Sequence, residues 1–244
     1  GGSRGGGGPP SARPQYPQLG ASIDYYLGDE VSGEVTLQIL DQEGRIVRGF
    51  TSAEGEPRVA TTAGMHRFVW DLRYPGGLAD RGPLAVPGLF EVRLTVDGRS
   101  QTRSFDVLID PRVAADNVTL ADLQEQFALN IRIRDAIIRG RLAVQDLESA
   151  KEATEAGVES GRDAAGRAMA ALEELAEVEQ ALVTKTEGSY QTPMLVDQLS
   201  YLYRMTSGAD QRPGRDAYER LQVLEQELER HIETLQRIMQ RIIA

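Results

Sequence analysis

Leu89-Phe90-Glu91-Val92-Arg93-Leu94-Thr95-Val96, followed by Asp97-Gly98, decides how the first half of this chain folds. Apolar and polar residues alternate along it, the period of two that puts successive side chains on opposite faces of a strand. Asp-Gly suits the positive backbone angles of a tight hairpin turn, so residues 101–109 are expected to return as the partner strand. The same alternation recurs upstream. Met65-His66-Arg67-Phe68-Val69-Trp70-Asp71 sends Phe68 and Trp70 to one face, and Ser22-Ile23-Asp24-Tyr25-Tyr26-Leu27 and Glu34-Val35-Thr36-Leu37-Gln38-Ile39-Leu40 read the same way. Asp41-Gln42-Glu43-Gly44 is a turn, with Arg45-Ile46-Val47-Arg48 as its returning arm. Short strands joined by Gly, Pro and Asp turns at this spacing predict a β-sandwich over residues 20–112, closed at Asp110-Pro111.

Downstream the period changes to that of a helix. Thr119 is placed to cap a helix whose first turn carries Asp122. Leu120, Leu123, Phe127, Ile131, Ile138 and Leu142 then follow at steps of three, four and seven. This helix is expected to reach about residue 155, where Gly157, Gly161 and Gly166 interrupt it. A second helix is expected from Asp163 to Thr184, with Leu172, Leu175, Val178 and Leu182 inward. After a loop from Thr186 to Gln191, Pro193 would open a third, with Leu195, Leu199, Leu202 and Tyr203 inward and Ser207-Gly208 ending it. Beyond Pro213, a last helix carries Tyr218, Leu221, Leu228, Ile232, Leu235, Met239 and Ile242 along one stripe. Four helices joined by short loops predict an up-down antiparallel bundle over residues 117–244. The fold class is therefore α+β and multidomain.

Residues 1–19 are Gly, Pro, Ser and Arg with little to bury, the composition of a flexible linker. The run Gly5 to Gly8 is followed by Pro9-Pro10, not by the helix a phosphate-binding loop requires. The chain opens on Gly-Gly-Ser without an initiator Met, which reads as a processed product or fragment. Asn117-Val118-Thr119 matches a glycosylation sequon, although capping already accounts for Thr119.

Composition narrows the function. The net charge is −10, and the first 116 residues carry 12 basic against 15 acidic side chains, so neither half is basic. A nucleic-acid partner is not expected. There is no cysteine, which removes disulfides, thiolate metal sites and Cys nucleophiles. No apolar run approaches the ~20 residues that span a bilayer. Arg far outnumbers Lys, a compositional hint of a GC-rich genome or a warm habitat.

Catalytic constellations are sparse. His66 and His231 fall in different expected domains, away from the shared geometry of a triad. Glu227 and His231 stand four apart, without the second copy or the spacing of a di-iron bundle motif. The many carboxylates sit on expected helix surfaces beside Arg, as Glu225, Glu229 and Arg230 do. No catalytic residue, metal or cofactor is expected. The aromatic concentration is Tyr25, Tyr26, Trp70 and Tyr74, which either fills the sandwich core or stacks on a ligand. The following loop, 75–87, is long and Gly-rich, so Trp70, Tyr74, Gly76, Gly77 and Arg81 form the candidate interaction surface.

Three stretches resemble a known family. Residues 20–27 (GASIDYYL), 66–75 (HRFVWDLRYP) and 87–94 (PGLFEVRL) are similar to the C-terminal region of bacterial proteins bearing sortilin-type or BNR (Asp-box) β-propellers, often labelled glycosyl hydrolase. The strands around Trp70 and Phe90 also resemble the Ig-like domain of flagellar hook-cap proteins. Residues 120–127 (LADLQEQF) and 197–202 (DQLSYL) look like the helices that follow in that family. The propeller repeats themselves are absent, so nothing of the hydrolase label transfers to a residue here. The resemblance implies a non-catalytic structural or interaction module of an extracytoplasmic (periplasmic or secreted) protein. Its partner would be a protein, an upstream propeller or further copies of itself in an oligomer. The alternative is a carbohydrate- or peptide-binding module using the Trp70/Tyr74 loop.

Overall fold

A computed structural model describes residues 20–55, 57–78, 80–159, 165–184 and 192–243. The linker at 1–19, Gly161, Asp163 and the loop from Thr186 to Gln191 lie outside the described residues. The chain is α+β, with strands β1 (Ala21–Leu27), β2 (Val35–Leu40), β3 (Ile46–Thr51), β4 (Gly64–Trp70), β5 (Gly88–Val96) and β6 (Arg99–Val107). Helices α1 (Pro111–Ala115), α2 (Leu120–Glu159), α3 (Ala165–Leu182), α4 (Leu195–Ser207) and α5 (Arg215–Ile243) follow. No described helix is long and apolar enough to cross a membrane.

The strands form two antiparallel sheets, β1-β4 and β3-β2-β5-β6, an arrangement compatible with a β-sandwich. The β5–β6 hairpin turns at Asp97-Gly98, where both residues have positive φ (48° and 74°), as that dipeptide predicts. Alternation puts Val35, Leu37 and Ile39 of β2 inward, where they are fully buried, against Tyr25, Phe68, Trp70 and Phe90. Trp70 fills the centre of this core. Its ring meets Phe90 edge-on at 5.4 Å and Phe105 at 6.3 Å, and its Nε1 donates to the Arg73 carbonyl at 3.2 Å. A buried indole needs such an acceptor, and this one comes from the chain just beyond the strand.

Asp110 caps the short helix α1, accepting from the Arg112 N–H at 2.8 Å; its Pro at the first turn disguises it in the sequence as a simple stop. Helix α2 opens on a reciprocal cap. Asp122 N donates to Thr119 Oγ1 at 3.2 Å and Thr119 N to Asp122 Oδ2 at 2.9 Å. With 40 residues, α2 runs about 60 Å.

The helices do not alternate up and down in the expected order. Asn130 of α2 meets Thr206 of α4, while Gly140 lies against Val196, so α4 runs antiparallel to the first part of α2. Lys151 pairs with Glu179 beyond that, which places α3 along the last part of α2. Helix α5 runs parallel to α2, because Arg132 pairs with Glu225 and Arg139 with Glu229. The path is therefore up, down, down and up. Helices α3 and α4 act as one interrupted descending segment between two long rising helices, and all four helices share a single core. Equal treatment of every helix in the sequence hid this, since α3 and α4 together match the length of α5 and each covers a different half of α2.

Several boundaries shift for the same kind of reason. Gly157 and Gly166 lie inside α2 and α3, not in a break between them. Pro193 precedes α4, which starts at Leu195 with Met194 at its cap. Leu120 and Leu142, which share the helical spacing read from the sequence, are about half exposed. The buried stripe of α2 is Leu129, Ile133, Ala136, Ile137, Ala143 and Leu147. Gly140 belongs to that stripe, and a Cβ there would stand 3.1 Å from the Val196 side chain, so the missing side chain sets the approach of α4.

Candidate functional site

The loop between β4 and β5 is the most informative part of the molecule. The sequence marks it as little constrained; the structure shows it tied on both sides. Internally it folds into a small ladder. Tyr74 N donates to Pro83 O at 3.0 Å, Gly82 N to Tyr74 O at 2.9 Å and Ala85 N to Leu72 O at 2.6 Å. Asp80 holds the tip, accepting from Gly76 N at 2.8 Å and from Arg48 Nη2 of β3 at 3.0 Å. The Arg48 guanidinium also lies 5.5 Å from the Phe50 ring centre. That anchors the loop to its own sheet.

The other side of the loop is bound to the helices. Tyr74 packs on Phe127 of α2 with ring centres 4.9 Å apart. Leu78 packs against the helical core. Arg141 Nη1 donates to Gly77 O at 2.8 Å, Arg134 Nη1 to Pro75 O at 3.4 Å, and Tyr203 Oη of α4 to Arg81 O at 3.3 Å. Gly76 has φ +83°, and a Cβ there would come within 3.0 Å of Ile138 Cδ1. A side chain is thus opposed both by the left-handed backbone and by α2. Burial raises the phenols of Tyr74 and Tyr203 above the ordinary tyrosine range, as expected of rings held between two layers.

Each residue of the sequence-derived interaction surface can now be placed. Trp70 is fully buried and Tyr74 faces Phe127, so neither ring offers a free stacking face to a sugar. Gly76 and Gly77 lie against α2; Arg81 is exposed at the side chain and gives only its carbonyl to Tyr203. The contact surface inferred from composition is thus an intramolecular joint. The sequence did not indicate Leu78, Phe127, Arg134, Arg141 or Tyr203 as its other half. One signal was present: Phe127, Ile131, Arg134, Ile138 and Arg141 recur at helical spacing on α2, a second face distinct from the core stripe.

Beside the joint lies a cleft of about 450 Å³, bounded by the 71–73 and 84–87 segments, residues 107–113, the start of α2 and the end of α4. Buried amides form part of its lining. Gln126 Nε2 donates to Thr206 O at 2.8 Å and to Ala209 O at 2.5 Å, and Asn130 Oδ1 accepts from Thr206 Oγ1 at 2.5 Å. Gln126 therefore supplies donors to carbonyls at the end of α4 that have no helical partner. Around the rim are Arg73, Arg81, Asp110, Arg112 and the apolar Leu84 and Leu108. Asp110 accepts the Arg112 side chain and backbone N–H, which holds its carboxyl down at about 2. Arg112 is paired with Asp110, and across the whole lining Arg73, Arg81 and Arg112 are matched in number by Asp71, Asp110 and Asp210, so the cleft carries no excess of either sign.

The histidines are far from this cleft in character. His66 on β4 bonds the Thr62 carbonyl at 2.6 Å and sits 5.1 Å from the Tyr25 ring, and His231 is half-buried on α5. Among the described residues neither histidine hydrogen-bonds a serine or a carboxylate. No family model matches the chain, and no curated protein matches it.

Proposed function

We propose that this chain is a non-catalytic interaction module, an Ig-like sandwich of the hook-cap type fixed to a helical rod. It would belong to an extracytoplasmic propeller-type protein or assembly and work by docking onto protein. The joint carries this reading. Loops that serve binding or turnover by moving are drawn from weakly held segments with few buried contacts. The loop over residues 72–87 is instead held by a sheet arginine, an internal ladder and three donors from the helices. Such bonding favours one body that presents fixed surfaces.

Those surfaces include apolar pairs. Tyr26 and Met65 are directly opposite one another on β1 and β4, and both are exposed. Leu84 and Leu108 flank the cleft, and Tyr201 and Met205 stand one turn apart on α4. Single exposed apolar residues are ordinary, whereas grouped ones are what a partner covers. The test is site-specific photo-cross-linking in the native cell, with a photoreactive residue at position 65, 108 or 201 in turn. Discrete adducts with a defined protein are expected from at least one position. No adduct at any of the three, or turnover of a substrate by the purified chain, would overturn the proposal.

A further inference from the structure

Helix α4 carries two faces. Leu195, Leu199, Leu202 and Tyr203 enter the core, while Asp197, Tyr201, Arg204 and Met205 point outward. At 100° per residue these four fall within an arc of about 100° on one side of the helix. Tyr201 is 62% exposed and Met205 59%, more than most apolar residues of this molecule. Their charged neighbours are free, as are Glu148 and Glu227 elsewhere on the described helices, whereas several surface arginines are paired. Arg132, Arg139, Arg212 and Arg241 are each paired with a glutamate of another segment. Among the described residues the side chains of Asp197 and Arg204, both exposed, meet no ion pair or hydrogen-bond partner.

We infer that the outer face of α4 is a seam for a second copy of this chain, two α4 helices crossing antiparallel about a two-fold axis. The arrangement follows from the order of the residues. An axis passing between Ser200 and Tyr201 lies 3.5 residues, about 5 Å, from Asp197 on one side and from Arg204 on the other. Two-fold symmetry then sets Asp197 of each copy level with Arg204 of the other, forming two ion pairs. The Tyr201 rings meet beside the axis, with Met205 next to them. A parallel pairing would oppose like charges at both positions, so the order Asp, Tyr, Arg selects the antiparallel, self-complementary case. The neighbouring wall of α5 places Ala217 between Asp216 and Arg220, and Arg220 bonds Gln198 of α4.

The seam deepens the interaction reading by naming one partner, and it fails separately from that reading. A single face of a 13-residue helix is below the size of a permanent interface, so the dimer is expected to be weak and concentration-dependent. Sedimentation velocity across about 5 to 500 µM should show a reversible monomer–dimer equilibrium. Tyr201→Arg should abolish it, with an unchanged circular dichroism spectrum confirming the fold. Asp197→Arg or Arg204→Asp should each weaken it by about tenfold through two symmetric like-charge contacts. The double variant Asp197→Arg/Arg204→Asp should recover the association. A chain that stays monomeric throughout, or a double variant as weak as the singles, overturns the seam. Cross-links to a different protein in the cell together with a monomer in the centrifuge would retain the module and reject only this partner.

Discussion

Replacing Gly76 and Gly44 by alanine, in parallel, tests the joint quantitatively. Both glycines are left-handed, with φ of +83° and +76°, so both alanine variants bear the same backbone penalty of about 1–2 kcal/mol. Both also gain the same small stabilisation from a less flexible unfolded chain. They differ in surroundings. A Cβ on Gly44 meets nothing within 4 Å, whereas one on Gly76 stands 3.0 Å from Ile138 Cδ1 and 3.4 Å from Arg134 Cδ. Relieving that crowding requires Ile138 or the loop to move by a few tenths of an ångström, at about 1 kcal/mol beyond the shared term. Urea unfolding should therefore place Gly76→Ala about 1 kcal/mol below Gly44→Ala, a difference of about 2–4 °C in melting temperature for a chain of this size. Native-state hydrogen exchange adds a local readout, because the Tyr74 and Gly82 amides are bonded inside the loop. They should exchange about fivefold faster in Gly76→Ala and unchanged in Gly44→Ala. Equal destabilisation of the two variants, with unaltered exchange at Tyr74 and Gly82, would refute the tight packing of loop on α2.

Further predictions concern the two cores, the cleft and pH. Trp70→Ala should cost about 3–5 kcal/mol in the sheet half, and acrylamide should barely quench the wild-type emission, which comes from one tryptophan. Gln126→Ala removes the donor shared by the Thr206 and Ala209 carbonyls and should lower stability by about 1–3 kcal/mol in urea unfolding. Asp110, held at about 2 against an ordinary 3.8, favours the fold above the unfolded value; that contribution is lost as pH falls through about 2. A carboxyl titration by NMR in Arg112→Ala should move Asp110 back toward the ordinary value. Burial lowers His231 below 6.5, with the Arg230 charge acting in the same direction and Glu227 opposing it. The folded state prefers the neutral ring, so stability should be greatest above pH 6.5 and decline as pH falls through the folded value. His231→Gln should flatten the unfolding free energy measured across that range.

The strands were legible because a hairpin's evidence is local. Residues 89–98 carry their own alternation and their own turn, and Trp70 and Phe68 needed only the period of two to be placed inward. The last helix was nearly as clear: Leu221, Leu228 and Leu235 of its expected stripe are buried, although Leu224 and Ile238, equally buried, were not part of that stripe. Helix α2 was not. It is covered on two sides, by α3, α4 and α5 on one and by the 72–87 loop on another, so its apolar residues blur a single stripe. For that reason spacing alone did not separate the half-exposed Leu120 and Leu142 from its buried residues. The joint was hidden for a further one: glycines in a loop signal freedom when nothing is known of the neighbours. At Gly76 the same missing side chain makes room for α2. The parallel course of α2 and α5 rests on pairs such as Arg139–Glu229, separated too far along the chain for any local pattern to reveal.

The joint also determines how this molecule would behave under tension. The sheets are fastened to α2 through Arg134 and Arg141, about 10 Å apart along the axis, and α5 rises beside the same helix toward Arg241 and Glu174. A pull applied at the sheets and resisted at the end of α5 therefore travels along the length of α2. It strains the Pro75 and Gly77 carbonyl bonds to α2 together, in shear, where contacts must yield as a set. Opening them one after another would require a force across the helix. The loop is accordingly less a hinge than a rivet line.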